Sequence, residues 1–510
     1  VRTNSDDAEF VRDLSQPLGA RNEWTGKVDS VLGLQANWQF LPQWQAVVQG
    51  ISRYRYDDSF RPEIAWAFVK YEPMPNLSLR VGRLGTEFFM MADSRWVGYS
   101  FLTVRPPGDF FWYLPFYSIH GGDAALTVPV GEHLLRGKLF YGISQGKIPL
   151  AEEQWDIGGS PMAGAYLEYQ HGPWQLRASY ANIRFERDLP YGPAMAKSGL
   201  LLNSQQLDYL SVRDKRSHYY SLGLVYDSGP WQAQLMLNRI EQGSKSLESS
   251  EGGYAQVGYR VGKLTPFVGY SLVYSKGRAL PADPVIAYIV ADSRTNQRTW
   301  YAGLRWDVVR NVALTAQWDG IRGDPTSIFP YRRENRATWQ GDMNVFSLAL
   351  DFVFYPMTPA LRRLLVVVAL CLLPAGWAQA DLVVIVNARN GVAAMSRSDV
   401  INLFFGRNRQ FFNGLEAEPV DVADSHPNRA YFYRLLVGKE LSEVDAYWSR
   451  LVFTGRQQAL PRLSSSDEVV RWVASHPGGI DSVLPSNPTA GRCDIARAGG
   501  VWRGCLRSTS

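Results

Sequence analysis

Residues 174–180 read WQLRASY, and apolar and polar side chains alternate along this stretch. The even positions are apolar and the odd positions are polar: Trp174, Leu176, Ala178 and Tyr180 against Gln175, Arg177 and Ser179. Because successive side chains of a β-strand point to opposite faces of a sheet, this pattern predicts a strand with one apolar and one polar face. The same alternation recurs in residues 31–40 and 231–238, so the strand belongs to a large sheet.

The lengths of the predicted strands and of their connections distinguish a membrane barrel from a soluble sandwich. The alternation predicts about 15 strands between residues 28 and 354. Many have ten or more residues, enough for a tilted membrane crossing, whereas soluble strands commonly have about 5–6. Short turns alternate with long loops, the longest near 85–118 and 186–216. A barrel with short turns at one end and long loops at the other is typical of outer-membrane proteins.

The strand count indicates the size of this barrel. The chain begins at Val1 without a Met, and a truncated first strand ending near Thr3 would bring the count to 16. Bacterial single-chain barrels have an even number of strands. We therefore predict an antiparallel transmembrane β-barrel of about 16 strands over residues 1–356, with its first strand truncated. A barrel of this size is expected to enclose a water-filled channel rather than a packed core.

Residues 85–118 carry a motif that suggests a family. The stretch contains DSRWVGYS at 93–100 and VRPP at 104–107, and it follows VGR at 81–83. On these residues the chain resembles Gram-negative porin-like outer-membrane proteins, over most of residues 1–356. The resemblance implies passive diffusion of small hydrophilic solutes through a pore that the third outer loop, here 85–118, constricts. Outer-membrane lipid and small hydrophilic or anionic solutes are then the expected partners. The sequence leaves open whether the chain forms a homotrimer.

Charged side chains near this loop are the candidates for the narrowest part of the pore, because a diffusion pore selects by its diameter and by the charges that line it. The phase of the strands points the strand arginines inward, towards the acids of the loop. An alternative is that Arg53 and Arg55 are solvated at the outer rim. A cationic wall would favour anionic solutes, although the loop acids can cancel it. The predicted constriction consists of Arg53, Arg55, Arg80, Arg177, Glu87, Asp93, Arg95, Arg105 and Asp109.

Composition argues against other classes of function. A net charge of +5 with 20% charged residues is too mild to indicate nucleic-acid binding. Three cysteines in 510 residues cannot form a disulfide framework. The histidines of the barrel are scattered and form no constellation typical of nucleophilic catalysis. We therefore expect no enzyme activity, no cofactor and no metal site.

Residues 357–380, MTPALRRLLVVVALCLLPAGWAQA, interrupt the β pattern. A pair of arginines precedes an apolar run at 364–373, and small residues including Ala378 and Ala380 supply a cleavage site. This order is typical of a secretory signal peptide. The run is about half of the roughly 20 residues that a membrane-spanning helix needs. A signal peptide in mid-chain leaves two interpretations open, a true fusion or two adjacent proteins read as one.

The pattern changes after residue 380. Residues 382–386 form a short apolar run typical of a buried strand, and Ser396 and Asp399 are spaced as a capping box at the start of a helix. Further helices are predicted around 428–437, 442–452 and 467–474. Residues 381–484 are therefore predicted to form a small α/β domain. Residues 485–510 lack periodicity, and we expect a non-globular tail.

The α/β segment carries a second resemblance. NLFFGRNRQFFNGLEAEPVDV at 402–422 and YWSRLVFTGR at 447–456 are similar to short phosphate-transporter-type periplasmic substrate-binding proteins. The resemblance implies an anion site that includes Ser425 and Arg429. The SGT stretch of full-length phosphate binders is absent, and the domain is short for two lobes. Arg429 as a surface residue, and a degenerate, partner-binding or sensory module, are the alternatives.

Two localisations follow from these interpretations. A fused chain would place the barrel in the outer membrane and the C-terminal domain in the periplasm, because the last predicted strand ends on the periplasmic side. The alternative function is that of a soluble periplasmic phosphate-type binding protein, with the upstream barrel an artefact of read-through or gene fusion.

Overall fold

The computed structural model divides the chain into two compact units, one built mainly from residues 1–349 and the other mainly from 350–510. It describes residues 1–354 except 113, 115, 151, 152, 328–330 and 334–337; residues 382–483 except 393, 424 and 425; and residues 501–506. The predicted signal segment 357–380, with Ala378 and Ala380, lies outside the described residues, and so does Ser425.

The N-terminal unit is made of strands joined by turns and loops. Its strands are β1 (Arg2–Thr3), β2 (Ala8–Phe10), β3 (Val31–Leu41), β4 (Trp44–Arg53), β5 (Glu63–Met74), β6 (Leu77–Gly85), β7 (Ser118–Val130), β8 (His133–Gln145), β9 (Lys147–Leu150), β10 (Glu153–Asp156), β11 (Pro161–His171), β12 (Trp174–Arg184), β13 (Arg216–Ser228), β14 (Trp231–Gln242), β15 (Ser250–Tyr259), β16 (Leu264–Ser275), β17 (Asn296–Val309), β18 (Val312–Gly323), β19 (Tyr331–Arg333) and β20 (Asp342–Phe352).

Sixteen of these strands form one sheet, in which β3 to β20, without β9, β10 and β19, follow one another in chain order. The pairings given for this sheet are antiparallel, as in β13 with β14 and β7 with β8. At one end of the strand order, Arg2 and Thr3 of β1 pair with Phe346 and Val345 of β20. The prediction of about 16 antiparallel strands, with a short first strand near Thr3, is confirmed. The pairs β2–β19 and β9–β10 are separate two-stranded sheets within the loops.

The two faces of the large sheet differ in chemistry. Large apolar side chains on the outer face are exposed, with Leu139 of β8 65% and Leu167 of β11 73% accessible. Neighbours one position away, such as Lys138 and Glu168, point inward and are buried. An apolar exterior around a polar interior inverts the usual order of a soluble protein. It is the arrangement that a strand face in contact with lipid requires.

The connections alternate as the sequence predicts. Short turns join β3–β4, β5–β6, β7–β8, β11–β12, β13–β14, β15–β16 and β17–β18, and long loops lie between these pairs. Gly131, Gly172 and Gly229 of the short turns have φ between 53° and 59°, a left-handed conformation that glycine adopts without steric cost. The long loops contain four helices that the alternation did not predict: α1 (Gly108–Phe111), α2 (Tyr191–Lys197), α3 (Ser204–Leu210) and α4 (Pro284–Asp292).

The C-terminal unit combines helices with a small sheet. Its elements are β21 (Leu382–Asn387), α5 (Arg397–Phe404), β22 (Glu418–Pro419), β23 (Asp421–Val422), α6 (Pro427–Val437), α7 (Leu441–Phe453), β24 (Arg462–Leu463), α8 (Ser466–Ser475), β25 (Gly479–Val483) and β26 (Val501–Leu506). The main sheet has the order β22-β25-β21-β26, and β23 pairs with β24 in parallel.

Strand β21 is buried on both faces and organises this unit. Val384 and Val386 belong to a hydrophobic cluster with Phe404 of α5. Ile385, on the opposite face, packs with Val469 of α8. Two helical layers therefore cover the sheet, which explains why β21 reads as a continuous apolar run rather than an alternating one.

Local signals place the helices of this unit close to their predicted positions. Ser396 accepts a hydrogen bond from the backbone of Asp399, and the Asp399 carboxylate accepts one from the backbone of Ser396. This reciprocal pair is the capping box that the sequence predicts at the start of α5. Within the predicted non-globular tail, the backbone of β26 pairs with β21, which differs from the expectation. No helix of the described residues is long and apolar enough to cross a membrane.

Candidate functional site

The connection between β6 and β7, residues 86–117, is the candidate functional segment, and we call it the strap. It contains the 3-10 turns Ala92–Ser94 and Gly98–Ser100 and the short helix α1. Most of its described side chains are buried. Because inward side chains of the surrounding strands cover them, the strap lies inside the barrel.

Aromatic side chains of the strap pack against the inner wall. The ring of Phe88 lies 5.8 Å from Phe140 of β8 and 5.1 Å from Tyr219 of β13. Phe110 of α1 meets Tyr254 of β15 edge to face, with 5.3 Å between ring centroids. Rings at these separations attract each other beyond their burial of apolar area. The lumen at this level therefore has a hydrophobic core, which corrects the expectation of a wholly water-filled channel.

An ionic cluster ties the beginning of the strap to one side of the wall. The Glu87 carboxylate lies 3.4 Å from Arg80 of β6 and 3.6 Å from Arg177 of β12, and it also accepts a hydrogen bond from Lys138 of β8. Arg80 also binds Asp123 of β7 at 2.6 Å. These side chains are almost fully buried, so each charge needs its partners to offset lost hydration.

The charges of this cluster are balanced. Arg177 also pairs with Glu168 of β11. Three basic side chains, Arg80, Lys138 and Arg177, thus face the three carboxylates of Glu87, Asp123 and Glu168. The net charge of these six side chains is zero at neutral pH, so they create no strong preference for either sign of solute.

The later part of the strap is tied to the opposite side of the wall. The Asp109 carboxylate accepts hydrogen bonds from Ser271 of β16, at 2.6 Å, and from Gln297 of β17. Arg105 pairs with Asp319 of β18 at 3.1 Å. The backbone N–H of Val104 donates to Gln317 Oε1 at 2.8 Å. The strap therefore crosses the lumen from β6–β12 to β16–β18.

Arg53 and Arg95 form a separate group around Tyr117 at the end of the strap. The guanidinium groups of Arg53 and Arg95 lie 4.0 Å and 4.3 Å from the Tyr117 ring centroid. The Tyr117 hydroxyl donates a hydrogen bond to Asp13, at 2.5 Å. Residues before β3 thus also enter the lumen, where they help to hold the strap.

Two further predicted constriction residues are Arg55 and Asp93. Arg55 follows β4 in the β4–β5 loop, is half-buried, and lies 3.6 Å from Glu63. Asp93 is buried in the turn Ala92–Ser94. The structure therefore brings Glu87 together with Arg80 and Arg177. It groups Arg53 with Arg95 around Tyr117 and places Arg105 and Asp109 at the opposite side of the lumen.

The sequence analysis did not identify several of the charged residues that hold the strap. Lys138 and Asp123 lie within predicted strands and point inward, so strand phase could have identified them. Asp13 and Asp29 lie before β3, in a segment without alternation, and no sequence signal places them beside Tyr117 and Arg105.

The C-terminal unit contains its own buried cluster of charges around Arg429 of α6. Arg429 Nε donates to Asp421 Oδ2 of β23 at 2.6 Å, and the side chains of this pair are 2% and 4% exposed. Tyr433 also donates to Asp421, at 3.1 Å, and Asp445 of α7 lies 3.7 Å from Arg429. Arg429 is thus an interior residue, which differs from the alternative of a surface position.

Burial changes the protonation of the acids in this cluster. Burial raises the pKa of Asp481 in β25 well above its usual range, and the nearby Asp421 carboxylate raises it further. Burial also raises the pKa of Asp421, and the guanidinium of Arg429 opposes this rise only in part. One oxygen of Asp481 accepts a hydrogen bond from the Ser482 backbone, whereas the other has no hydrogen-bond partner among the described residues.

The sequence matches no protein-family model and no curated protein. Among solved structures, the chain is similar to an anion-selective porin from Comamonas acidovorans, at 13% identity and a TM-score of 0.42, over 65% of this chain and 91% of that chain. The outer membrane channel DcaP of Acinetobacter baumannii gives 12% identity and a TM-score of 0.40, over 69% and 92% of the two chains.

The buried position of Arg429 predicts a large effect of its removal on stability. Arg429→Ala should lower the free energy of unfolding of the segment 381–510 by about 3–5 kcal/mol, because it leaves the buried Asp421 carboxyl without its partner. Arg434→Ala is the matched control, since its pair with Glu440 in the same region is exposed. That change should cost about 0–1 kcal/mol in denaturant unfolding. Equal losses for both variants would contradict the buried pair.

The raised pKa of Asp481 predicts a pH dependence of stability. A carboxyl whose pKa is raised by folding contributes stability below its unfolded pKa, about 3.9, and loses it as pH rises through the folded pKa. Asp481→Asn should therefore gain stability relative to wild type between pH 4.5 and pH 8, as measured by denaturant unfolding of the segment 381–510. Asp467→Asn, at the exposed start of α8, should show no such trend.

Proposed function

We propose that the N-terminal unit is an outer-membrane channel through which small hydrophilic solutes diffuse passively. The observation that carries this proposal is the chemistry of the large sheet, which is apolar outside and lined with charged side chains inside. Lipid contact explains the exposed Leu139 and Leu167, and a route for polar solutes explains the inward Arg80 and Lys138.

The strap supports a restricted channel. Its aromatic core with Phe140, Tyr219 and Tyr254 fills part of the lumen. Its anchors at Glu87 and Asp109 hold it against both sides of the wall. Solutes would therefore pass beside the strap, and their size is limited by the remaining space. Because the charges around Glu87 are balanced, we propose weak selection between anions and cations.

For the C-terminal unit we propose a phosphate-binding-like periplasmic module. The sequence resemblance over residues 402–422 and 447–456 supports this role. The close pair of Arg429 with Asp421 favours a positioning role for Arg429 over direct contact with the anion. We further propose that the two units remain one polypeptide, that the chain assembles as a homotrimer, and that it has no enzyme activity.

The role of Glu87 gives a direct test of the channel. Glu87→Gln removes one negative charge from among Arg80, Lys138 and Arg177, so the strap should loosen and the lumen should gain positive charge. In planar bilayers the variant should conduct more than wild type. Its reversal potential in a KCl gradient should shift towards anion selectivity.

The control for this experiment is Glu132→Gln, in the exposed turn between β7 and β8, which should leave both quantities unchanged. Circular dichroism establishes that each variant retains its β structure. A folded wild-type protein without any conductance would overturn the channel. An unchanged reversal potential in folded Glu87→Gln would exclude Glu87 from the constriction.

Calorimetric titration of the full chain with inorganic phosphate tests the C-terminal module. We expect saturable binding at one site per chain, which Ser425→Ala should weaken by about tenfold or more because a hydrogen bond to a charged group is lost. Ser475→Ala, at the exposed end of α8, is the control. If the titration gives no saturable heat, the C-terminal unit does not bind phosphate and is a degenerate or partner-binding fold.

A further inference from the structure

Two histidines face each other on neighbouring strands at the end of the barrel that carries the short turns. His133 is the first residue of β8 and His171 is the last residue of β11, and the two are directly opposite in the strand register. His133 has the same strand phase as the exposed Leu139, and His171 has the phase of the exposed Leu167. Both imidazoles therefore lie on the outer face, where the strands end.

The two rings are already close together. Their centroids are 4.4 Å apart, with 23° between the ring planes. The rings are stacked, so their in-plane lone pairs run side by side. Residues directly opposite in an antiparallel pair have Cβ atoms about 4.5–5.5 Å apart, and rotation of the side chains brings one nitrogen of each ring to a common ion. The turns Gly131-Glu132 and Gly172-Pro173 hold the ends of both strands, so the backbone beneath the pair is fixed.

The ring nitrogens have the environment of metal ligands. His133 Nδ1 lies 2.7 Å from the hydroxyl of Tyr169, two residues before His171 on the same strand. In the tautomer that donates from Nδ1 to Tyr169, the Nε2 lone pair of His133 is available to a metal. Metal-binding histidines commonly donate their other N–H to such an outer partner. His171 Nδ1 is buried and has no hydrogen-bond partner among the described residues.

We propose that His133 and His171 together bind one divalent transition-metal ion, of the Zn²⁺ and Cu²⁺ class, with Tyr169 as the positioning residue of His133. Neutral imidazole nitrogen is a preferred ligand of these ions, whereas Mg²⁺ and Ca²⁺ prefer oxygen. The described residues contain no group of three or more His, Cys, Asp or Glu that could hold a metal. Water therefore completes the coordination, and the ion joins β8 to β11.

Titration of the full-length protein in detergent with Cu²⁺ and with Zn²⁺ tests this site. Wild type should show one binding site that either His133→Ala or His171→Ala removes. Electron paramagnetic resonance of bound Cu²⁺ should show coupling to two imidazole nitrogens in wild type. Tyr169→Phe should retain the site but weaken it by about tenfold, the lower end of the effect expected for an outer partner.

His218 provides a matched control within the same barrel. Its Nδ1 lies 2.9 Å from the hydroxyl of Tyr180 on the neighbouring strand, as His133 lies beside Tyr169, but the residue opposite His218 is Asn182. His218→Ala should therefore leave the number of metal sites unchanged. Metal binding that survives in both folded His133→Ala and folded His171→Ala would overturn the proposal. So would the absence of metal binding by wild type.

Discussion

The arrangement of the barrel interior depends on the ion pairs of the buried Glu87 carboxylate. It lies among basic side chains of three strands, Arg80, Lys138 and Arg177, and each of them is nearly inaccessible to water. A charge in such a place is costly unless partners surround it, so the strap that carries Glu87 has a strongly preferred position. The aromatic packing of Phe88 and Phe110 follows from that position.

The exterior of the barrel obeys a different constraint. Backbone N–H and C=O groups in contact with lipid have no water to bind, so they must be satisfied between strands. The continuous antiparallel pairing of the large sheet meets this demand. It also leaves side-chain chemistry free to differ between faces, which allows apolar groups outside and ion pairs inside the same strands. The strap can therefore fill part of the lumen without altering the hydrogen bonds between the strands of the wall.

The C-terminal unit uses a buried charge for another purpose. Arg429, Asp421 and Tyr433 connect helix α6 to strand β23, and Asp481 brings a further carboxyl from β25. Replacing one member leaves the others buried and unpaired, so such a cluster positions elements more than it adds net stability.

The sequence by itself determined the strands, their phase and the alternation of turns with loops. These are local properties, since a period of two residues decides which side chains face lipid. It therefore identified Arg80 and Arg177 as inward groups, and the same phase would have added Lys138 and Asp123. The capping box at Ser396 and Asp399 was equally local.

Only the tertiary structure decided what these side chains contact. Asp109 reaches Ser271 across 162 residues of chain, and Arg105 reaches Ser347 across 242. No periodicity encodes such distances, because they depend on how the sheet curves and on where the strap crosses it. Burial of Arg429 was hidden for the same reason: its partners Asp421 and Asp445 belong to other elements, and only packing brings them together.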